Sequence, residues 1–223
     1  MTVIEPPRLD ILNPPQTKKY SWSLRLWHWA NAIVITGSLL TVLLNSTLTN
    51  GHTNSVLIQS RLKDAGASVT NDQARSVAHA ISDNVWDIHK YFGFCLAGLL
   101  LFRLIAEYFQ LADQKFLRKL NGIYRQYKSA SGDRKIIRHD FAVKTLYAMF
   151  YLLLIIMVVT GLCLAFDDDI PALKKIHAIK QVHGFCMYLV LGFIVLHLAG
   201  VFLAERKDSR GIVSDMINGG DKQ

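Results

Sequence analysis

The chain is poor in charge and poorer still in cysteine. Of its 223 residues 19% are charged, below the roughly 25% of an average soluble protein. Apolar residues make up 51%, and mean hydropathy is +0.24, which excludes a disordered chain and argues against an ordinary soluble domain. The three cysteines, Cys95, Cys163 and Cys186, all lie in apolar stretches, and no CxxC or CxxCH occurs. A disulfide framework, a zinc ribbon, a redox dithiol and a covalently attached c-type haem are therefore not indicated. Proline is scarce, and four of the five fall at positions 6, 7, 14 and 15. The first 23 residues are otherwise polar, so no cleavable signal peptide is expected and the first apolar run should be retained. No internal repeat or low-complexity tract is present.

What is abundant is long apolar runs. Four reach the roughly 20 residues that a helix needs to cross a bilayer. They cover about 24–44, 88–109, 145–166 and 182–203. The expected fold is all-α: one integral-membrane domain over 1–223, built as a four-helix transmembrane bundle. The net charge of +8 falls where it sets orientation. Connection 110–144 carries nine basic residues: Lys115, Arg118, Lys119, Arg125, Lys128, Arg134, Lys135, Arg138 and Lys144. The amino-terminal stretch and the tail are basic too. Connection 45–87 has only Arg61, Lys63 and Arg75 against four aspartates, and the third connection opens with Asp167, Asp168 and Asp169. By the positive-inside rule both termini and connection 110–144 face the cytoplasm. The basic excess is thus a topology signal, and nucleic acid is not an expected partner. Connection 45–87 is long for a compact bundle. Within it 55–80 reads either as a short amphipathic helix outside the cytoplasm or as a solvated loop.

Four of the eight histidines, His28, His89, His183 and His197, lie in the runs or at their mouths. Ionisable groups at membrane depth are costly and usually functional. His28 and His197 fall near the cytoplasmic end of their spans, and His89 and His183 near the outer end. His183 and His197 are 14 residues apart, roughly 21 Å along one helix and nearly on one face. One helix can thus present two ligands, one near each surface. Neutral imidazole is a good axial ligand for haem iron. Pairs His89/His183 and His28/His197 could each hold a haem, with both axial positions filled and electron transfer as the chemistry. A transition-metal site is the rival, weaker because zinc or copper usually needs three or four clustered donors.

Other residues carry two readings each. Gly37, Gly93, Gly98, Gly161, Gly184 and Gly192 could make room for a porphyrin or for close helix packing. Arg103, 14 residues after His89, could pair with haem propionates or with Glu107 one turn away. His52, His79, His139 and His177 read as surface histidines, with His177 a reserve ligand for the outer pair. The cysteines read as core packing. Trp22, Trp27, Trp29 and Trp86 read as interface anchors, although Trp27 and Trp29 flank His28.

These motifs resemble a family. Arg25-Leu26-Trp27-His28-Trp29 is similar to the opening of the first span in the di-haem cytochrome b subunits of membrane-bound nickel–iron hydrogenases and formate dehydrogenases. His89, Gly93 and Arg103 keep that family's spacing in the second span. Thr160-Gly161, the His183 and His197 positions, and Met216-Ile217-Asn218-Gly219 are similar in their turn, so the likeness covers roughly 25–219. The resemblance implies an anchor subunit of the bacterial inner membrane. It implies two haem b groups, an iron–sulfur partner subunit of hydrogenase or formate dehydrogenase type, and menaquinone or ubiquinone on the cytoplasmic side. Oligomers of such complexes are common in the family. The family's His-Asn-Pro-x-x-Gln before the third span is replaced here by His139-Asp140-Phe141-Ala142-Val143-Lys144. His139 is kept, and Asp140 could accept a quinol proton as a general base. A stand-alone quinone or superoxide oxidoreductase, and a haem-free transporter or assembly factor, are the competing functions.

Overall fold

The computed structural model describes residues 22–109, 134–174, 176–207 and 211–220. Among them every regular element is helical: α1 (Trp22–Thr47), α2 (Gly51–Asp64), α3 (Asn71–Phe109), α4 (Arg134–Ala165), the single turn α5 (Pro171–Lys174), α6 (His177–Lys207) and α7 (Ile212–Asn218). Four helices are long and apolar enough to cross a membrane, over 22–47, 71–106, 141–165 and 177–206. The expected spans lie inside these limits, apart from the extreme ends of the second and third. A helix in lipid must satisfy its own backbone, so the apolar runs are necessarily helical.

The largest difference is at the second span. It begins at Asn71, well before the apolar run. At 39 residues α3 is about 58 Å long, nearly twice the hydrocarbon thickness of a bilayer. Segment 55–80, expected as a short amphipathic helix or a solvated loop, is instead the rest of α2, a turn and the polar first turns of α3. Connection 45–87 is punctuated by local chemistry. Asn50 caps α2, its Oδ1 accepting from the amides of His52 and Thr53 at 3.1 and 3.2 Å. Gly66, at φ +80°, closes α2. The amides of Gly66 and Ala67 reach back to the carbonyls of Lys63 and Leu62, the Schellman pattern that favours glycine. Thr70 and Gln73 then exchange side-chain bonds with each other's amides at 3.3 and 3.0 Å, a capping box that starts α3. Helix α2 packs on α3, with Ser55, Ala74 and Ala78 buried in that contact.

The chain divides into two units, 30–195 and the pair of segments 1–29 with 196–223. Within 30–195 the four long helices are tied together by side chains. Phe92 of α3 lies against Gly37 of α1, where a Cβ would overlap the ring. Asn45 of α1 accepts from Ser82 of α3 at 2.8 Å. Arg103 of α3 donates to the Tyr151 hydroxyl of α4 at 3.1 Å. Phe150 of α4 stacks on Phe193 of α6 at 4.3 Å. Few large side chains are buried, and Leu154 at 1% exposure is the largest that is fully so, because the outer faces are themselves apolar. That is the expected state of helices solvated by lipid rather than water. Cys186 is buried as packing would require, whereas Cys95 is exposed.

In the second unit, taken by itself, the tail helix α7 is held at both ends. The amide of Gly211 donates to the Glu205 carboxylate at 2.7 Å. At the far end the last carbonyls of a helix lack intrahelical partners. Trp29 Nε1 donates to the Met216 carbonyl at 3.2 Å, and the Arg25 guanidinium donates to that of Ile217. Gly219 ends the helix at φ +108°.

The Gly37–Phe92 contact predicts that Gly37→Leu lowers stability by about 1–3 kcal/mol through overpacking. Thermal unfolding in detergent should show the loss, and adding Phe92→Ala should restore part of it.

Candidate haem-ligand pairs

The four intramembrane histidines form two pairs. In the unit 30–195, His89 of α3 faces His183 of α6 with ring centroids 6.4 Å apart. In the other unit, His28 of α1 faces His197 of α6 at 6.2 Å. A metal–imidazole bond is about 2.0 Å and a ring nitrogen sits about 1.1 Å from its centroid, so two imidazoles on opposite sides of one metal have centroids about 6 Å apart. Both pairs meet that spacing. Among the described residues no group of three or more His, Cys, Asp or Glu comes together as a metal site. Bare zinc or copper therefore lacks donors here, while two-ligand pairs suit haem, whose porphyrin supplies the other four.

The hydrogen bonds of the first pair favour the same chemistry. Thr41 Oγ1 lies 2.9 Å from His89 Nδ1 and donates its own proton to the Ser38 carbonyl at 2.6 Å. Thr160 Oγ1 lies 2.9 Å from His183 Nδ1 and donates to the Ile156 carbonyl at 2.6 Å. A hydroxyl has one proton. With that proton spent on a carbonyl, each threonine oxygen accepts from an Nδ1–H. Each Nε2 is then the unprotonated nitrogen, the form that ligates iron. The second pair is built differently. His28 Nδ1 is buried with no hydrogen-bond partner.

An aromatic ring stands edge-on to one histidine of each pair. Trp86 is 5.4 Å from His89 at 87°, and Trp29 is 5.3 Å from His28 at 87°. Trp27 is buried at 7% exposure, so it is a packing residue, whereas Trp22, Trp29 and Trp86 are exposed as interface anchors are. The glycines divide between their two readings. Gly37 serves helix packing against Phe92, while a Cβ on Gly161 would sit 3.2 Å from His183 Cε1, so this glycine makes room for the imidazole itself. A methyl on Gly93, Gly98, Gly184 or Gly192 would meet nothing within 4 Å.

Arg103 is joined to Tyr151, a partner the sequence did not suggest. The side chain of Glu107 lies outside the described residues, as do those of His139 and Asp140, whose backbone belongs to α4. His52, His79 and His177 are exposed and stand outside both pairs. Thr41 and Thr160 were not singled out for a role. The available signal was the stripe Asn31, Ser38, Thr41 and Asn45 on one side of an otherwise apolar helix, since polar groups in a span turn inward.

Four membrane-crossing helices with paired imidazoles between them define a multi-pass membrane protein of the cytochrome b class. The chain belongs to the prokaryotic cytochrome b561 family, whose sequence model matches residues 19–219. No curated relative and no solved structure gives a significant match. The protein is therefore a haem-b electron-transfer protein of the bacterial inner membrane, and the likeness to bacterial cytochrome b subunits holds at that level.

The tail contacts beside His28 give a test. Glu205→Ala removes the acceptor for the start of α7 and should cost about 1 kcal/mol locally. Hydrogen exchange of the amides of 212–218 should accelerate, while exchange along α3 stays unchanged.

Proposed function

We propose that the chain holds two b haems, one between His89 and His183 and one between His28 and His197, and relays electrons across the membrane. The observation that carries this reading is the pair of imidazole spacings, 6.4 and 6.2 Å, with no third donor gathered at either place among the described residues. Haem held by these histidines would supply one-electron transfer.

The chain's own residues do the rest. The helices hold each imidazole at a fixed height in its span. The positive-inside pattern supports an orientation with both termini and connection 110–144 in the cytoplasm, which puts His28/His197 on that side and His89/His183 on the outer side. The chain serves as the anchor subunit of a respiratory oxidoreductase. Its outer partner is an iron–sulfur or cytochrome subunit, of the hydrogenase or formate dehydrogenase kind, and the helical hairpin α2–α3 offers it a structured docking element. At the cytoplasmic side the chain exchanges electrons with menaquinone or ubiquinone, His139 and Asp140 handling the quinone and Asp140 its proton. Arg103, already donating to Tyr151, serves an anionic propionate.

A reduced-minus-oxidised spectrum of the purified protein, with haem quantified per chain, tests the ligand assignment. It should show low-spin b-type bands at about two haems per chain. His89→Ala and His183→Ala should each remove one haem, and His28→Ala and His197→Ala the other. A colourless protein, or a single haem insensitive to one of the pairs, overturns the reading. Co-purification from membranes separates an anchor subunit, which brings an iron–sulfur protein with it, from a stand-alone oxidoreductase. Asp140→Ala should slow quinone reduction by the intact complex at least tenfold, as loss of a general base does, and unchanged turnover rejects its role.

A further inference from the structure

The two histidines of the His89/His183 pair are served by the same device, although they sit on different helices and receive it from different neighbours. On His89 it is Thr41 of α1, and on His183 it is Thr160 of α4. Each hydroxyl is 2.9 Å from Nδ1, and each gives its proton to a carbonyl of its own helix at 2.6 Å. Serine and threonine in spans commonly bond back to their own helix, and that bond alone explains nothing about the second contact. What is specific is that a hydroxyl with its proton committed can only accept. The chain of bonds thus runs one way, from imidazole N–H to hydroxyl to carbonyl.

The geometry points to Thr41 and Thr160 as positioning residues that fix the Nδ1–H tautomer and ring orientation of both ligands in the His89/His183 pair and set the reduction potential of the haem they hold. This inference rests on the ligand assignment proposed above. Its physical basis is that an acceptor on the remote nitrogen pulls the N–H proton away and raises the basicity of the ligating nitrogen. A more basic ligand favours ferric over ferrous iron, because the oxidised metal gains more from electron donation. The carbonyl behind each hydroxyl strengthens the effect, since consecutive hydrogen bonds polarise one another. The arrangement is not repeated on His28, whose Nδ1 has no hydrogen-bond partner. Gly161, next to Thr160, belongs to the same device, because any Cβ there would press on the ring that Thr160 holds.

The experiment is a potentiometric titration of the purified protein, following the haem bands, on the wild type and on Thr41→Val, Thr160→Val, Thr41→Ser and Thr160→Ser. Haem per chain is measured in every sample, and low-temperature electron paramagnetic resonance reports on ligand orientation. Valine keeps the branched shape and removes the hydroxyl acceptor, leaving His89 Nδ1 only the longer contacts to the Ser38 carbonyl at 3.3 Å and the Ser38 hydroxyl at 3.4 Å, while serine keeps the hydroxyl and removes the methyl. With two haems retained, each valine variant should move one of the two midpoints to a more positive value and leave the other in place. A tenfold shift in the reduction equilibrium reads as about 59 mV for one electron. The resonance signal of that haem should shift with it, and both serine variants should match the wild type.

Unmoved midpoints and signals in fully loaded valine variants overturn the inference and leave the hydroxyls as helix-packing groups. If valine variants lose the haem of this pair alone, the serine variants decide: retention with serine supports the positioning role, and loss with serine overturns it. Wild-type protein that carries no haem at His89/His183 is a failure of the ligand assignment instead, and the haem count separates that result from the others.

Discussion

A ring nitrogen inside a bilayer has no water to turn to. An imidazole placed there is stabilised by a partner for the nitrogen that bears the proton and by a use for the one that does not. That constraint organises the unit 30–195. It explains why α1, an apolar helix, carries Ser38 and Thr41 beside His89, and why Thr160 sits late in α4, across from His183. It also explains the glycine that follows Thr160, because the hydroxyl can reach Nδ1 only if the backbone lets the ring come close. The helices supply the rest by default, since in lipid their backbones are satisfied internally and their outward faces can be wholly apolar. A handful of polar contacts then sets which faces meet.

Much of this was legible in the sequence, for reasons that can be traced. Four apolar runs announce four spans, because hydrophobic length is itself the physical requirement. The two histidine pairs follow from depth along the helix, a one-dimensional quantity that residue number measures directly. The start of α3 was not legible from hydropathy, because helix continuity depends on capping and on the absence of breakers rather than on apolar content. The signals were nevertheless present as Asn50, Gly66 and the Thr70–Gln73 box.

The partners of the imidazoles lay further out of reach. Thr41 and His89 are in different helices, 48 residues apart, and their meeting depends on the relative rotation and height of two spans. No periodicity within one helix contains that information. The same holds for Arg103 and Tyr151, and for Trp27, whose burial separates it from the three exposed tryptophans although all four look alike in sequence. By contrast, Met216-Ile217-Asn218-Gly219 was recognisable as a motif before its role was. Two of its residues matter through their carbonyls, which any side chain could have provided, and its glycine matters as a left-handed helix terminus.

The contacts between that tail and the first turns of α1 join residues 187 and 192 positions apart. During synthesis the amino-terminal span leaves the ribosome long before Met216 and Ile217 exist. Arg25 and Trp29 must wait for them with donors unmatched by these carbonyls, and His197 likewise reaches His28 late. Both pairs close only once α6 is in place, the one at 89 and 183 on its first half and the one at 28 and 197 on its second, next to the tail that follows. Assembly of the molecule is therefore ordered in time by the order of the chain, with the site made from its two ends the last to be completed.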